Sequence, residues 1–124
     1  MDNETTYQTP GKLKISQDVV ASIAKFATLE VDGILSVSAS NLGVRGLINR
    51  VSYARPIKVE LDDEVVSVEI SVIVKYGQKI PQVASAVQRN VKNAIQSITG
   101  LAVSRVDVIV AGAANESEEE TEAQ

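Results

Sequence analysis

The sequence predicts an α+β domain, a two-layer α/β sandwich with two amphipathic helices on one face of a mostly antiparallel or mixed sheet. Three observations lead there. From Pro81 to Thr99, Val83, Ala84, Val87, Val91, Ala94 and Ile98 recur at steps of three or four, which places them on one face of a helix. From Val66 to Tyr76, apolar residues alternate with Ser67, Glu69, Ser71 and Lys75 at strand period, Ile73 alone breaking the outer face. The polar, aperiodic ends frame a stretch of roughly a hundred residues, a size that supports its own core. Two helices among short strands give the order β-α-β-β-β-α-β, with each element burying one face against the other layer.

Taken in order, Met1 to Pro10 is polar and reads as a disordered tail. The domain then spans residues 11–112. Lys12 to Ile15 alternates polar and apolar, a short first strand with Leu13 and Ile15 inward. Ser16 is a good N-cap, and Asp18 in the first turn complements the helix dipole. Val19, Val20, Ile23, Ala24 and Ala27 form the apolar face of the first helix, widened by Phe26 and Leu29. Gly33 ends that unit and Ile34 to Ser38 is a short strand. Residues 39–55 are the least regular part and read as a mobile loop. It holds Gly43-Val44-Arg45-Gly46, then Leu47, Ile48 and Val51 at helical spacing, with Arg45, Arg50 and Arg55 among them.

Pro56 closes the loop. Ile57, Val59 and Leu61 alternate with Lys58, Glu60 and Asp62, and Asp62-Asp63-Glu64 turns the chain into the long strand, an antiparallel hairpin at the centre of the sheet. The second helix opens on Pro81, whose missing N–H costs nothing in the first turn, although Ile80 before it is a poor N-cap. Gly100 supplies the left-handed stop. Val103 to Val110 is the last strand, and a phase change between Val103 and Val106 predicts a bulge near Ser104. Val31-Asp32-Gly33-Ile34 resembles Ile98-Thr99-Gly100-Leu101, which suggests two strand–helix–strand units. Residues 113–124, ending NESEEETEAQ, read as a disordered acidic tail.

The net charge of −4 is uneven. All twelve Lys and Arg lie between Lys12 and Arg105, and the domain of residues 11–112 holds nine acidic residues, so it is mildly basic and its tails hold the remaining acids. There is no cysteine and no histidine, which removes disulfides, thiolate nucleophiles and the commonest general base and zinc ligand. Asp62, Asp63 and Glu64 read as an exposed turn, since adjacent carboxylates there do not converge on one ion. No phosphate-binding or dinucleotide loop appears. No stretch reaches the roughly 20 apolar residues of a spanning helix, and the acidic start has no signal-peptide character. The expectation is a non-enzymatic cytoplasmic protein with no cofactor, no metal and no small-molecule substrate.

Two surfaces stand out. Gly43-Val44-Arg45-Gly46 matches the backbone-clamping loop of KH-type nucleic-acid-binding modules, but a strand-like segment precedes it where such modules have a helix. No basic–aromatic interleaving accompanies it. Arg45, Arg50 and Arg55 with Leu47, Ile48 and Val51 could touch anionic lipid, but so short a patch does not anchor a protein alone.

The chain resembles the alkaline-shock and general-stress protein family of Gram-positive bacteria, the envelope stress response proteins. The residues that carry the resemblance are Gly11 to Ser16 leading into Val19 and Ile23-Ala24, Glu30-Val31-Asp32-Gly33-Ile34, and Val74-Lys75-Tyr76-Gly77. Ile80-Pro81-Gln82-Val83-Ala84 with Val87-Gln88 and Val91-Lys92, then Thr99-Gly100-Leu101 with Val106-Asp107-Val108, complete the set. The resemblance implies a cytoplasmic protein of envelope homeostasis that forms homo-oligomers, in some members held peripherally at the membrane by a membrane-anchored protein partner. It carries over no catalytic or cofactor residues. The expected interaction residues are Arg45, Arg50 and Arg55 of the loop and Arg89, Lys92 and Gln96 on the polar face of the second helix, or an edge strand. The alternative is a KH-like nucleic-acid-binding module using the Gly43–Gly46 loop.

Overall fold

A computed structural model describes residues 11–39 and 55–115. Along these residues run helix α1 (Gln17–Leu29), strands β1 (Ile34–Val37), β2 (Ile57–Asp62) and β3 (Val65–Lys75), helix α2 (Ile80–Thr99) and strand β4 (Ala102–Ala114). Residues 1–10, with the predicted N-terminal tail, lie outside the described set, as do residues 40–54 of the predicted loop and the tail from residue 116.

The sheet is mixed and built around β3. On one side β2 pairs antiparallel with Val65–Ile70, and β1 pairs antiparallel with Val72–Val74 end to end with it. On the other side β4 runs parallel to β3 along its whole length. The β2–β3 connection is a tight turn, with Asp63 at φ 58°, in the left-handed region that Asp tolerates. The parallel pair instead needs a crossover, and α2 supplies it. Val66, Val68, Ile70, Val72 and Val74 of β3 point into the layer of helices. They meet Val20, Ala24 and Ala27 of α1 and Val83, Val87, Val91 and Ile95 of α2. Each of the larger side chains buried there contributes roughly 1.5–3 kcal/mol.

The helix ends follow local chemistry. The Ser16 hydroxyl accepts the Val19 N–H at 3.2 Å, capping α1. The N-cap of α2 is Lys79, one residue before Ile80, and it makes no side-chain capping bond. Gly100 closes α2 in the left-handed region at φ 80°, its N–H donating to the Gln96 carbonyl at 3.0 Å. The bulge predicted near Ser104 is present. Pairing steps from Val66↔Val103 to Ser67↔Arg105, and the unpaired Ser104 donates its hydroxyl to the Val66 carbonyl at 3.3 Å. A second register shift skips Ala111, and β4 continues past Val110 to Ala114.

Four expectations are corrected. Lys12 to Ile15 is irregular, not a strand, and Leu13 is 82% exposed, so the order among the described residues is α-β-β-β-α-β. The Ser16 N-cap holds an extended backbone (ψ 157°), and an extended lead-in alternates its side chains just as a short strand does. On α1, Phe26 and Leu29 do not widen the buried face. With Val19 they are exposed, and the buried set is Val20, Ala24, Ala27 and Thr28. On α2, Ile98 is exposed and Ile95, one turn past Val91, is fully buried. The two halves are not equivalent units either. Helix α1 has no preceding strand among the described residues and ends at Leu29, short of Gly33, whereas Gly100 is itself the C-cap of α2. Strand β1 also runs antiparallel to β3 where β4 runs parallel.

Candidate interaction surfaces

Helix α2 presents different chemistry along its two flanks because its buried stripe is narrow. Val83, Val87, Val91 and Ile95 advance by four, so the residues beside them fall toward α1 on one flank and toward β4 on the other.

On the α1 flank, Gln82, Ala86, Arg89, Asn90 and Asn93 face Glu30, Val31 and Asp32 across an open cleft that Gln78 completes. Asn90 ties the two helices together. Its side-chain amide donates to the Ala27 carbonyl at 2.7 Å and to Glu30 Oε1 at 3.3 Å. The first of these bonds satisfies one of the carbonyls that a helix C-terminus leaves without an intrahelical partner. Among the described residues no three carboxylates converge as a metal site would need. The cleft offers amides and opposite charges in shallow, solvent-open positions.

On the β4 flank, Gln88 and Lys92 border a small groove with Val103, Ser104, Arg105 and Val106. Here the backbone supplies the chemistry. Ala102 donates its N–H to the Glu64 carbonyl at 3.1 Å, and the Ala114 carbonyl accepts the Tyr76 N–H at 3.2 Å, so both residues turn their backbone polar groups toward β3. Arg105, Asp107 and Ile109 occupy equivalent register positions, opposite Ser67, Glu69 and Ser71. Strand geometry then turns the N–H and C=O groups of Val106, Val108 and Val110 to the far side of β4, where no strand pairs with them among the described residues. One of these groups is covered, since the Gln88 amide donates to the Val106 carbonyl at 3.1 Å. On the sheet face away from the helices, Arg105 Nε donates to Asp107 Oδ2 at 2.9 Å, and both side chains remain substantially exposed.

The expected interaction residues therefore do not form one site. Arg89 lines the cleft beside α1, Lys92 lines the groove beside β4, and Gln96 is exposed on the last turns of α2. Arg55 borders a third depression with Ala21, Ser22, Lys25, Val37, Pro56 and Ile57. Arg45, Arg50 and the Gly43–Gly46 loop lie outside the described residues, and the described elements on either side of that loop are strands β1 and β2. Asn90 and Gln88 were missed by sequence reasoning. Their only signal is a polar amide next to Val87 and Val91, which does not say what the amide reaches. Among the described residues no helix is long and apolar enough to cross a membrane.

The family model of the alkaline-shock proteins, described as having a cell envelope-related function, matches residues 5–114. The chain is 30% identical over 113 residues to the uncharacterized protein YqhY of Bacillus subtilis, covering 90% of this chain and 82% of YqhY. It is 31% identical over 105 residues to the uncharacterized protein YloU of the same organism, covering 82% of this chain and 88% of YloU. It is 30% identical over 103 residues to the uncharacterized protein Spy1614 of Streptococcus pyogenes, covering 81% of this chain and 85% of that protein. No solved structure is significantly similar to the chain.

Proposed function

The chain belongs to the alkaline-shock protein family, whose function is related to the cell envelope, and from that premise we propose that it is a non-enzymatic scaffold of the envelope stress response. It works by self-association or by binding a membrane-anchored protein partner, at or near the cytoplasmic face of the membrane. The observation that carries this reading is the kind of surface the fold exposes. A long sheet edge, along which no strand pairs among the described residues, lies beside shallow polar clefts, and large apolar side chains (Phe26, Ile98, Leu13) stand in solvent. Unpaired strand edges and exposed apolar side chains are features that contacts between proteins use. Of the polar groups in the cleft beside α1, the Asn90 amide ties α2 to α1.

The test is light scattering coupled to size-exclusion chromatography across a wide concentration range. It should compare the full chain with one ending at Asn115, since a cut at residue 112 would shorten β4. The scaffold reading expects a mass that rises with concentration, or capture of a membrane-fraction protein by the immobilised chain. A strict monomer that captures nothing overturns it.

A further inference from the structure

We propose that β4 is the surface through which two copies of this chain associate, by antiparallel pairing of their free β4 edges about a twofold axis at Val106. The inference rests on the self-association reading above and names its interface. Backbone and side-chain chemistry both point to a second copy as the occupant.

The backbone argument starts from Val106, Val108 and Val110, whose N–H and C=O groups point away from β3 with no strand pairing them among the described residues; Gln88 covers the Val106 carbonyl. An antiparallel copy of the same edge offers donors and acceptors in matching positions, because a strand edge is complementary to itself under a twofold. Between the bulges at Ser104 and Ala111, the run Arg105 to Val110 is regular. It contains neither proline nor glycine nor lysine, the residues with which sheet edges are commonly blunted.

The side chains select the register. Arg105 and Asp107 lie two residues apart on the same face of β4, and both remain accessible. Directly opposite residues of an antiparallel pair share a face. Centring the pair on Val106 therefore sets Arg105 of each copy against Asp107 of the other, giving two charge pairs related by the twofold. Centring it one residue further along would set Asp107 against Asp107 and is disfavoured. In the selected register the two Val106 residues exchange N–H···O=C bonds. Val108 meets the bulged Ser104, and Val110 lies opposite Ala102, whose backbone groups are turned toward β3, so the charge pairs and not the length of the ladder decide the register. The Val106 carbonyl is the group that Gln88 covers at 3.1 Å in the single chain. Gln88 thus competes with the second copy, holding the edge closed at low concentration and yielding it when pairing supplies a better donor.

The experiment measures self-association of full-length variants by sedimentation velocity, with thermal melts confirming that each is folded. Arg105→Asp and Asp107→Arg each set like charges against one another twice in a homodimer, so each should weaken association at least about tenfold relative to the unmodified chain. Mixing the two single variants restores opposite charges across the twofold, so tagged Arg105→Asp chain should capture untagged Asp107→Arg chain as a heterodimer. The internal Arg105–Asp107 bridge is broken in both of those chains, so a merely local role for the bridge predicts no such rescue. Gln88→Ala removes the competing donor and should tighten homodimerisation about two- to tenfold. If both single variants associate as the unmodified chain does, the β4 interface is overturned and self-association through another surface stands. If the unmodified chain is monomeric throughout, the self-association reading falls and the interface with it. Failure of the mixed variants to pair, with each weakened alone, also overturns the proposed register.

Discussion

The two helices lie in one layer over one sheet, yet they use apolar residues in opposite ways. Helix α2 buries a single file of β-branched side chains, Val83, Val87, Val91 and Ile95, and leaves most of its surface polar. Helix α1 buries mainly small residues, Ala24 and Ala27 beside Val20 and Thr28, and leaves Val19, Phe26 and Leu29 exposed. The difference is visible where the two helices meet. Asn90 of α2 reaches the Ala27 carbonyl at 2.7 Å, a contact with α1 backbone that a bulky side chain at that point would obstruct. A small side chain at Ala27 suits an interior packed at near-crystalline density. The large apolar residues of α1 lie on its outward side.

The largest test of this contrast is Ile95→Ala. Ile95 has no exposed surface and sits at the end of the α2 stripe, so truncation leaves a cavity as well as losing transfer energy. A loss of about 3 kcal/mol in denaturant unfolding is expected. The same truncation at Ile98, three residues along and 68% exposed, should cost no more than about 0.5 kcal/mol. Equal losses would mean that the burial phase of α2 is wrong.

Next in size is the contrast between the two glycines that follow the helices. A Cβ on Gly33 would lie 2.9 Å from both Gln78 Oε1 and Val83 Cγ2, at a backbone φ of +99°. Gly33→Ala therefore combines backbone strain with a clash against the start of α2, and about 2–3 kcal/mol should be lost. Gly100 is at φ +80° with nothing within 4 Å of the added carbon, so Gly100→Ala should cost only the conformational penalty, about 1 kcal/mol. Paired urea titrations of the two variants check the ordering.

These contrasts also mark how far the sequence could be read. The extent and end of helix α2 were legible, because a strong apolar period and a glycine stop agree with its tertiary environment, although its last turns were assigned to Ile98 and not Ile95. The pairing of the hairpin was legible for the same reason: the alternation in Ile57–Leu61 and Val66–Ile70 matches one buried face, although only β3 is central to the sheet and β2 pairs with β3 alone among the described residues. Even the bulge at Ser104 showed as a change of phase. What could not be read was whatever depends on distance between elements. Phe26 and Leu29 are apolar at compatible spacing, but periodicity carries no information about how near α1 lies to α2. Lys12–Ile15 failed because four alternating residues do not separate a strand from an extended lead-in to an N-cap. For the interaction surfaces, the charges on α2 were visible but their division between two flanks was not. That β4 is an edge strand among the described residues is a property of sheet order, which no local pattern encodes. Gln88 follows from the same fact, since its role exists only where β4 lies beside α2.

A smaller effect separates the helix starts. Ser16→Ala removes the hydroxyl that caps α1 and should cost about 1 kcal/mol. Lys79→Ser at α2, where no side chain now caps, should raise stability by about 0.5–1 kcal/mol. Thermal melts that shift in opposite directions would confirm that one start is already satisfied and the other is not.

The smallest expected effect is the one that bears most directly on α1. Phe26 is the chain's only phenylalanine and is 67% exposed, so Phe26→Ser should change folding stability by no more than about 0.5 kcal/mol. Had it pointed into the core, truncation would cost about 3–5 kcal/mol, the range for a large aromatic lost from a packed interior. Because the two orientations differ several-fold in cost, one denaturation curve decides between them. A loss above about 2 kcal/mol would mean that the outward face of α1 is covered by the folded chain itself, and Val19 and Leu29 beside it would need the same reassignment. A loss within the surface range leaves that face exposed, and the contrast between a helix that buries its bulk and one that displaces it outward stands.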